Sequence, residues 1–393
     1  MPGEISNNHP YVLMLASVAS MIDLFNMDNI KVLKELGCKV DVAANFQKGS
    51  ITSQQRVDGF RKELKHQGID VIDVPIPRNI LSVGKIIKSY HMVKQRVGER
   101  HYRIVHCHSP IGGVIARLAC RNERKNGTKV IYTGHGLHFF KGAPLKNWIL
   151  FYPIERLCAK LTDVIIAINQ EDYKRELSWN ACEVEYVPGV GVDTTAFANV
   201  SVDKKGLRKS LGLREDDFVF MSTGQISERK NHEVIIRALA EIKDEKVKYL
   251  IVGFGELEER LKILVKKLGI ENRVIFAGYR DDVKELLHVV DAFAFPSLQE
   301  GLPVALMEAM SVGLPVVCSK IRGNVDLIDN GYGGYIYDCH DYKGFAEGMS
   351  IIAFNRGNVS MGTINKDKMK KFDKKVVNEI MGRIYKTQLD GQL

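Results

Sequence analysis

The sequence predicts an α/β protein built from two parallel β-sheets, each wrapped by helices. Short apolar runs alternate with helical patterns from one end of the chain to the other, which is the rhythm of parallel strands joined by crossover helices. This alternation is interrupted at residues 187–193, where one Pro and two Gly stand close together. We place the linker there and expect two domains facing each other across a cleft, because open α/β sheets bind ligands at the carboxyl ends of their strands.

The individual strands follow from the apolar runs of four to six residues. Before the linker, the predicted strands are residues 11–16, 40–44, 71–74, 104–108, 130–133, 164–168 and 184–187. After the linker, they are residues 218–223, 248–252, 273–276, 291–295, 315–318 and 334–337. Helical patterns fill the gaps, and the spacing of residues 376–385 predicts a final helix.

The composition is typical of a large globular enzyme. The chain has 393 residues, of which 45% are hydrophobic and 26% are charged, which is enough for two domains and argues against disorder. No apolar run reaches the roughly 18 residues that a membrane-spanning helix needs. Residues 1–8 lack the basic start and apolar core of a signal peptide. We therefore expect a cytoplasmic protein.

The net charge of +9 is concentrated in the first half of the chain. Residues 51–150 carry 18 Lys and Arg but only 6 Asp and Glu. No helix-turn-helix, RNP-like or zinc-finger pattern accompanies this excess, so we do not expect a nucleic-acid partner. An anionic membrane surface or a lipid diphosphate fits better, and a solvated basic face without a partner is the alternative.

Cysteine and histidine spacing gives no metal or disulfide pattern. The cysteines are odd in number, scattered and mostly set among apolar neighbours, which favours reduced, buried thiols; they are Cys38, Cys107, Cys120, Cys158, Cys182, Cys318 and Cys339. His106 and His108 would share one face of a strand, but a zinc site needs further ligands and none lies nearby in sequence. Asp281 and Asp282 are expected to cap a helix and offset its dipole rather than to bind a metal.

The most informative segment is residues 295–310, where Glu300 and Glu308 flank a predicted strand-to-helix turn. Glu300 would follow the strand and Glu308 would lie about two turns into the helix, so both carboxylates would face one cleft. A carboxylate accepts two hydroxyls at once, so Glu308 could hold a ribose and Glu300 a hexose. Two surface glutamates that offset a helix dipole are the alternative. The intervening helix start, whose N–H groups suit a diphosphate, comprises Gly301, Leu302, Pro303 and Val304.

With this segment the sequence resembles the retaining glycosyltransferases of family 4, and in particular those of exopolysaccharide and capsule synthesis. The resemblance implies the GT-B fold, with two Rossmann-like domains. Residues 1–188 would form the acceptor domain, 189–371 the nucleotide-sugar domain, and a final helix at about 372–393 would cross back. It also implies a reaction in which the departing diphosphate helps to accept the acceptor proton, with no protein nucleophile, metal or cofactor and a UDP-sugar as donor substrate.

Residues 222–239 resemble the diphosphate-binding segment of family 4, which is a strand, a loop and a helix beginning near Asn231. Lys230 matches the family lysine. Gln225 follows Gly224 at the position where the family usually has an arginine. Losing that cation weakens the neutralisation of a diphosphate unless Arg229 or another residue reaches in.

Two further loops resemble donor-binding turns of the family. Gly253 begins a Gly-Phe-Gly turn after a strand, which by itself is weak evidence for nucleotide binding. Residues 276–280 match the family's Phe-x-Gly loop, whose backbone usually contacts the nucleobase, and they place Tyr279 and Arg280 at the donor. This resemblance implies a uridine diphosphate donor.

In the first domain, residues 132–138 resemble the family's Thr-x-His-Gly segment and make His135 the candidate catalytic histidine. His138 and the aromatic residues after it would form either an acceptor-facing loop or a folded hydrophobic corner. Ser17 opens the loop after the first strand and is a candidate for acceptor contact. Asp23 is another, although capping the next helix is the favoured role for this residue.

These residues predict a glycosyltransferase that moves a hexosyl unit from UDP to a lipid-linked glycan acceptor, with polyprenyl diphosphate as the lipid carrier. His135, Lys230 and Glu300 are the candidate catalytic residues. The reaction would take place in the cytoplasm, at the inner face of the membrane. One alternative is a UDP-sugar epimerase of the same fold. The other is a non-catalytic sugar-nucleotide-binding partner of a membrane assembly, which Gln225 alone suggests.

Overall fold

The computed structural model describes residues 9–179, 183–355 and 359–391. The chain forms two compact units. Unit 1 contains the residues up to Val190 together with those from Val377 onward, and unit 2 is Gly191–Val376. Cys182 and the first eight residues, for which the sequence predicts a reduced thiol and no signal peptide, lie outside the described ranges.

Unit 1 contains a parallel sheet with the strand order β3-β2-β1-β4-β5-β6-β7. The strands are β1 Tyr11–Val18, β2 Lys39–Asn45, β3 Asp70–Asp73, β4 Ile104–His108, β5 Lys129–Gly134, β6 Val164–Ala167 and β7 Glu183–Tyr186. The helices are α1 Ala19–Phe25, α2 Met27–Glu35, α3 Gln54–His66, α4 Val83–Arg100, α5 Pro110–Ala119, α6 Leu145–Ala159 and α7 Gln170–Leu177, with a 3₁₀ turn at Glu123–Asn126.

Both faces of this sheet are covered, as the alternation along β1 illustrates. Val12 and Met14 point into a core formed with α1, α2 and α3, whereas Leu13 and Leu15 point into a second core formed with α4 and α5. The last helix of the chain, Lys374–Asp390, contributes to the first of these cores; the side chains involved are Val377, Met381, Ile384 and Tyr385. Their spacing of three and four residues is that of one helix face.

Unit 2 contains a second parallel sheet with the order β10-β9-β8-β11-β12-β13. The strands are β8 Phe218–Thr223, β9 Val247–Val252, β10 Val274–Phe276, β11 Ala292–Phe295, β12 Val316–Ser319 and β13 Gly334–Tyr337. The helices are α8 Thr194–Ala198, α9 Lys204–Ser210, α10 His232–Glu241, α11 Glu258–Leu268, α12 Val283–Leu287, α13 Val304–Val312, α14 Asn324–Leu327, α15 Tyr342–Phe354 and α16 Val359–Met369. The last helix of the chain, which belongs to unit 1 from Val377 onward, is α17. Short 3₁₀ turns lie at Glu228–Lys230, Glu271–Arg273 and Lys370–Phe372.

The sequence prediction of an α/β protein with two parallel sheets is confirmed. Every predicted strand is present, with ends that differ by at most two residues. No helix in the described parts of the chain combines the length and the apolar character that are needed to cross a membrane. All six described cysteines are free thiols, and all except the half-buried Cys339 are buried.

Two helices begin at other residues than the sequence predicts, and a third begins as predicted but lacks the predicted cap hydrogen bond. Helix α1 begins directly after β1, so Asp23 lies inside it and does not cap it. Helix α13 begins at Val304, so Pro303 precedes its first turn and Glu308 lies little more than one turn in, not two. Asp282 stands at the N-cap position of α12, but its carboxylate accepts from Arg280 Nε at 2.7 Å and makes no cap hydrogen bond.

Each sheet has one place where the chain order reverses. In unit 1 it lies between β1 and β4, and in unit 2 between β8 and β11. The loops that follow these strands leave the same edge of the sheet in opposite directions, which opens a crevice at that edge. The candidate site residues are therefore expected at these two crevices.

Candidate functional site

The crevice of unit 2 brings together three of the predicted donor residues. Lys230 Nζ lies 2.9 Å from Glu300 Oε1, and Arg229 Nη1 lies 2.6 Å from the same oxygen. The backbone joins the two loops as well, because Leu298 N–H donates to Arg229 C=O at 2.8 Å. The side chains of Lys230 and Glu300 are each 13% exposed, so their attraction is screened less than that of a surface ion pair. One carboxylate thus holds two cations.

Arg229 supplies a second cation beside Lys230 on the same Glu300 oxygen, whereas Gln225 is exposed and carries no charge. Burial lowers the pKa of Lys230, and the neighbouring Glu300 carboxylate opposes this effect. The Lys230 ammonium also lies 4.7 Å from the ring centre of Phe295, at the end of β11, in a cation–π contact. These contacts hold the ammonium at the sheet edge.

Gly224 and Gly253 allow the loops after β8 and β9 to touch backbone to backbone. Their φ angles are +132° and +142°, which side-chain-bearing residues rarely adopt. A Cβ on Gly253 would lie 2.0 Å from the Gly224 carbonyl oxygen, and one on Gly224 would lie 3.1 Å from Cε of Lys230. Gly253 is therefore required by close packing against the neighbouring loop, and Gly224 by its φ angle.

The loop after β12 completes the surroundings of Glu300, and the sequence reasoning missed it. Arg322 is buried and its Nε donates to the Glu300 carbonyl at 3.1 Å. Gly323 packs so closely that a Cβ there would lie 2.4 Å from the Gly301 carbonyl oxygen. The signal was available, because this loop follows a predicted strand and must leave the same sheet edge as Glu300.

The segment between the two glutamates forms the start of α13, a helix of nine residues. Leu302 is buried beneath the turn, Pro303 occupies the N-cap position, and Val304 is the first helical residue. The N–H groups of this first turn have no intrahelical partner, which is the property that suits them to an anion. Gly301 precedes the turn and carries the contact with Gly323.

Glu308 is a half-buried carboxyl whose pKa is raised to about 7. Burial is the cause, and Lys284 and Lys374 partly offset it. Within the described residues the Glu308 carboxylate makes no hydrogen bond. It is therefore a carboxyl that changes charge near neutral pH and has its hydrogen-bonding capacity available.

Within the described residues, Tyr279 and Arg280 form no hydrogen bond, ion pair or ring contact with Lys230 or Glu300. Tyr279 is exposed and pairs edge-on with Phe254, which is also exposed, with ring centres 6.3 Å apart. Gly253 N–H donates to Gly278 C=O at 2.8 Å, which ties the two loops together. Arg280 is engaged by Asp282. Phe254 was missed from sequence, although an aromatic residue between two glycines of a turn indicated it.

The crevice of unit 1 contains a cavity of about 640 Å³ that brings together Ser17, His135 and His138. Ser17 is fixed, since its hydroxyl lies 2.9 Å from that of Ser109 and accepts from Gly112 N–H at 3.1 Å. Asp23 does not line the cavity. Its two carboxylate oxygens accept from Arg56 at 2.6 and 2.9 Å. Apolar side chains dominate the wall and include Met21, Ile80, Ile111 and Phe151.

His135 is a half-buried imidazole in contact with the buried His108, and the proton positions of the two rings follow from the partner at the far side of His108. His108 Nε2 lies 3.1 Å from the sulfur of Met14, which can only accept, so the proton of neutral His108 is on Nε2. Its Nδ1 then accepts from His135 Nε2, at 3.1 Å. Burial lowers the pKa of His135 to about 4 and holds the pKa of His108 well below its usual value, so both rings are neutral. By this assignment His135 presents Nδ1 as an acceptor.

The aromatic residues after His135 form a folded corner. Phe139 is fully buried, with its ring centre 5.5 Å from that of Trp148, 5.4 Å from Tyr152 and 6.3 Å from Trp179. His138 remains exposed and its ring lies 4.9 Å from that of Phe151. Of the two predicted alternatives for this segment, the hydrophobic corner describes Phe139.

Metal ligands are not clustered in the described ranges, where no group of three or more His, Cys, Asp or Glu side chains is placed to hold an ion. His106 is part of the imidazole cluster, but its ring nitrogens lie 2.7 Å from the hydroxyls of Tyr385 and Thr133.

Two family models match this chain. Residues 203–366 match the model described as Glycosyl transferases group 1, and residues 27–190 match the model described as Glycosyltransferase Family 4. Among curated proteins, EpsD of Bacillus subtilis (strain 168), which is named as a glycosyltransferase, is 35% identical over 340 residues that cover 85% of each chain. The UDP-Gal:alpha-D-GlcNAc-diphosphoundecaprenol alpha-1,3-galactosyltransferase of Escherichia coli is 32% identical over 277 residues, covering 68% of this chain and 70% of its own.

Solved structures show the same architecture. HepE of Anabaena, crystallised with UDP, superimposes with a TM-score of 0.77 at 20% identity, covering 96% of this chain and 100% of its own. Sucrose-phosphate synthase of Thermosynechococcus elongatus superimposes with a TM-score of 0.76 at 18% identity, covering 98% and 100%. At these identities the similarity concerns the fold alone.

Proposed function

Since this chain is a glycosyltransferase of family 4 with the GT-B fold, we propose that it transfers a hexosyl unit from a UDP-sugar to a glycan acceptor linked to polyprenyl diphosphate. The transfer retains the configuration at the anomeric carbon and serves the synthesis of a cell-surface polysaccharide. Unit 2 binds the donor, and the cavity of unit 1 binds the acceptor.

The observation that carries this proposal is the contact of Arg229 and Lys230 with Glu300 at the start of α13. A sugar nucleotide brings a diphosphate and a sugar with several hydroxyls. The two cations and the free N–H groups of the helix suit the diphosphate. As the cations turn to the phosphates, the Glu300 carboxylate becomes available to accept hydrogen bonds from the sugar hydroxyls.

The same contact supports the chemical step. When the bond between the anomeric carbon and the diphosphate oxygen breaks, negative charge develops on the leaving phosphate. Lys230 and Arg229 stabilise that charge, and Arg322 holds the loop that carries Glu300. The acceptor hydroxyl attacks from the side of the leaving group and gives its proton to the departing phosphate oxygen, so configuration is retained without a protein nucleophile. His135 accepts a hydrogen bond at Nδ1 from a sugar hydroxyl.

Uridine is the base that the relatives favour. The name of the Escherichia coli relative contains UDP-Gal, and HepE was crystallised with UDP and with UDP-glucose. In this chain the exposed Phe254–Tyr279 pair offers an aromatic surface for a nucleobase. Glu308 offers an unengaged carboxyl for the ribose hydroxyls.

The acceptor follows from the same Escherichia coli relative, which is named for a diphosphoundecaprenol-linked sugar. The mostly apolar wall of the unit 1 cavity suits a lipid carrier. The basic excess of residues 51–150 suits a diphosphate and an anionic membrane. We therefore infer that the protein works in the cytoplasm, in peripheral contact with the inner face of the membrane.

Thermal unfolding with UDP, GDP, ADP and their sugars tests the donor. A ligand at a hundred times its Kd stabilises the folded state by about 2.7 kcal/mol, so UDP should raise the melting temperature by several degrees and GDP and ADP should not. A larger shift with GDP contradicts the uridine assignment. No shift with any nucleotide contradicts the donor site.

Lys230→Ala tests the site, with the exposed Lys266→Ala of the same unit as matched control. Loss of a charge that stabilises the leaving group should lower transfer from UDP-sugar to a lipid-linked acceptor by roughly a hundredfold or more, while Lys266→Ala stays near the wild type. Equal turnover of both variants contradicts the assignment. Formation of a new UDP-sugar without acceptor would instead identify an epimerase.

A further inference from the structure

Ser109, between β4 and α5, has a backbone conformation that few residues other than glycine adopt. Three described residues that are not glycine have a positive φ, and they are His101, Ser109 and Asn231. His101 and Asn231 lie in the left-handed helical region, with ψ angles of 63° and 37°. Ser109 combines φ +64° with ψ +151°, a region that belongs almost entirely to glycine. Such strain persists only where the surroundings impose it, and it concentrates at functional sites.

Contacts with the loop after β1 hold Ser109 in this conformation. Ser17 N–H donates to Ser109 Oγ at 3.0 Å, and Ser109 O–H donates to Ser17 Oγ at 2.9 Å. Gly112, in the first turn of α5, packs so closely on the same loop that a Cβ there would lie 3.0 Å from Ser17 N. A glycine in place of Ser109 would relieve the strain but could make neither hydrogen bond. The strain therefore maintains a side-chain contact between two loops that line the cavity of unit 1.

The Ser17 hydroxyl has both of its lone pairs occupied. Ser109 O–H donates to one of them, with the His108 carbonyl as a second acceptor of the same proton. Gly112 N–H donates to the other at 3.1 Å. Within the described residues Ser17 Oγ donates its own proton to no partner, although its residue is only 7% exposed. By this assignment Ser17 presents its hydroxyl proton to the cavity that it lines.

Ser17 and His135 offer complementary groups to the same cavity. Ser17 offers a proton, and His135, in the tautomer assigned to it, offers the lone pair of Nδ1. A sugar hydroxyl accepts and donates at once, so one hydroxyl or two adjacent ones can satisfy both groups. A phosphate oxygen only accepts, and phosphates are bound by cations. Arg78, the one Lys or Arg side chain among the described residues that line this cavity, is exposed and donates to Gly49 C=O at 3.1 Å.

We propose that Ser109 is a positioning residue that directs the Ser17 hydroxyl proton into the cavity of unit 1, where Ser17 and His135 bind a sugar through its hydroxyls. Ser109 acts through Ser17 and does not touch the sugar itself. The proposal rests on the proposed function in that the sugar is the terminal unit of the glycan acceptor. The strain at Ser109 maintains the orientation of one hydroxyl in the cavity wall.

A strained serine between a strand and a helix is also the arrangement of a hydrolase nucleophile. Such a serine needs an imidazole nitrogen within hydrogen-bond distance to take its proton. In the described part of the chain, the hydrogen bonds of Ser109 Oγ go to Ser17 and the His108 carbonyl. The ring nitrogens of His108 face Met14 and His135. The geometry therefore suits Ser109 to holding Ser17 and not to attacking a substrate.

Saturation-transfer NMR on the full chain, with UDP present, tests the class of ligand. Methyl glycosides of glucose, galactose and N-acetylglucosamine serve as probes, because each presents sugar hydroxyls without a phosphate. The wild type should transfer saturation to at least one of them, and equimolar inorganic phosphate should leave that signal unchanged. Ser17→Ala should weaken the affinity roughly fivefold or more. Displacement by phosphate, unchanged affinity in Ser17→Ala, or no saturation of any glycoside overturns the proposal.

Two substitutions of Ser109 separate positioning from folding. Ser109→Ala removes the hydroxyl and keeps the strain, whereas Ser109→Gly removes both, so the Gly variant should melt several degrees above the Ala variant. Both should bind the glycoside roughly fivefold or more weakly than the wild type. His101→Gly is the matched control, since His101 also has a positive φ but its side chain is 76% exposed and lies outside the cavity. It should bind as the wild type does.

A serine that served folding alone would regain glycoside binding along with stability in Ser109→Gly, and that result overturns the positioning role. Equal melting temperatures of the two Ser109 variants would overturn the strain on which the argument depends.

Nucleotide binding separates this proposal from the proposed function. The Ser109 variants should keep the full UDP-induced rise in melting temperature, because unit 2 is unchanged. Glycoside binding that depends on Ser17 and Ser109, without any UDP effect, would leave the sugar site standing and refute the donor assignment. A UDP effect without glycoside binding would refute the sugar site alone.

Discussion

Glu300 holds two cations with a single carboxylate oxygen, and this arrangement predicts a separation of binding from transfer. Glu300→Gln keeps the shape but removes the charge that engages Lys230 and Arg229. Both cations are then available to a diphosphate, so we expect UDP affinity to stay equal or rise. Transfer should fall by roughly tenfold to a hundredfold, because the amide is a weaker acceptor for the sugar hydroxyls.

Calorimetry with UDP and a transfer assay measure the two effects of Glu300→Gln separately. Glu258→Gln, a surface change in the same unit, serves as control. If UDP affinity and transfer fell together, Glu300 would be acting as a support for the loop and not as a ligand of the sugar.

Glu308 predicts a pH dependence of donor binding. Burial raises the pKa of this carboxyl to about 7, so the ionised form that accepts ribose hydroxyls best gains population across neutral pH. UDP affinity should therefore increase as the pH rises through about 7. Glu308→Gln should remove that part of the profile, which Kd values for both proteins across the range would reveal. A parallel rise in the variant would trace the effect to the nucleotide phosphates.

The same pKa shift predicts an opposite effect on stability. Because the folded-state pKa is raised, the stabilising contribution of Glu308 is complete below the unfolded-state pKa and is lost as the pH rises through about 7. Glu308→Gln should gain up to about 3 kcal/mol over the wild type above that pH, and nothing at acidic pH. Urea unfolding at acidic pH and above about pH 7 measures this gain in the free energy of unfolding. An equal gain at both pH values would contradict the assignment.

Among the loops, the turn after β9 leaves the least room for an added side chain. Gly253→Ala places a Cβ 2.0 Å from the Gly224 carbonyl oxygen in addition to the strained φ. We expect a loss of roughly 3 kcal/mol or more in the free energy of unfolding. Gly269→Ala is the matched control, since Gly269 also has a positive φ but has no atom within 4 Å of its Cβ position. It should lose only about 1 kcal/mol.

Urea denaturation of the two glycine variants compares these losses directly. Equal losses would mean that backbone strain alone, and not the contact between the two loops, makes Gly253 necessary.

Strands and helices were predictable from the sequence because the periodicity of their side chains is local. The buried strands read as unbroken apolar runs, and β4, β8 and β13 were predicted to the residue. Helix starts were less predictable, because they depend on capping hydrogen bonds. Contacts with side chains outside the helix determine whether a capping residue is available. Asp23 was expected to cap α1, but its carboxylate is taken by Arg56 of α3, which no local pattern reveals.

The site was predictable only in part, for the same reason. Lys230 and Glu300 were each identified from their own segments, but their contact spans seventy residues and follows from β8 and β11 being neighbours in the sheet. Arg322 and Phe254 were missed because only their places in loops after predicted strands indicate them, and no family motif specifies their side chains. The role of Arg229 was left open because only the fold places its side chain on Glu300.

For the whole molecule, the two units predict a local response to donor. Each unit has its own sheet and its own core, so binding in unit 2 should stabilise that unit selectively. Hydrogen exchange with saturating UDP should slow the amides of β8, β9 and β11 and leave those of β1 and β2 unchanged. Uniform slowing in both units would show that they unfold as one cooperative body.

The last helix, α17, determines the order in which this protein can be completed on the ribosome. Its residues Val377, Met381, Ile384 and Tyr385 close a core whose remaining members precede unit 2 in the chain. Unit 2 is synthesised whole and can fold during translation, whereas the first half waits with one of its two cores incomplete. A chain that stops before α17 also leaves His106 without the Tyr385 hydroxyl. Translation must therefore reach α17 before the core of unit 1 is complete, and a polypeptide that lacks α17 exposes apolar surface that chaperones and proteases recognise.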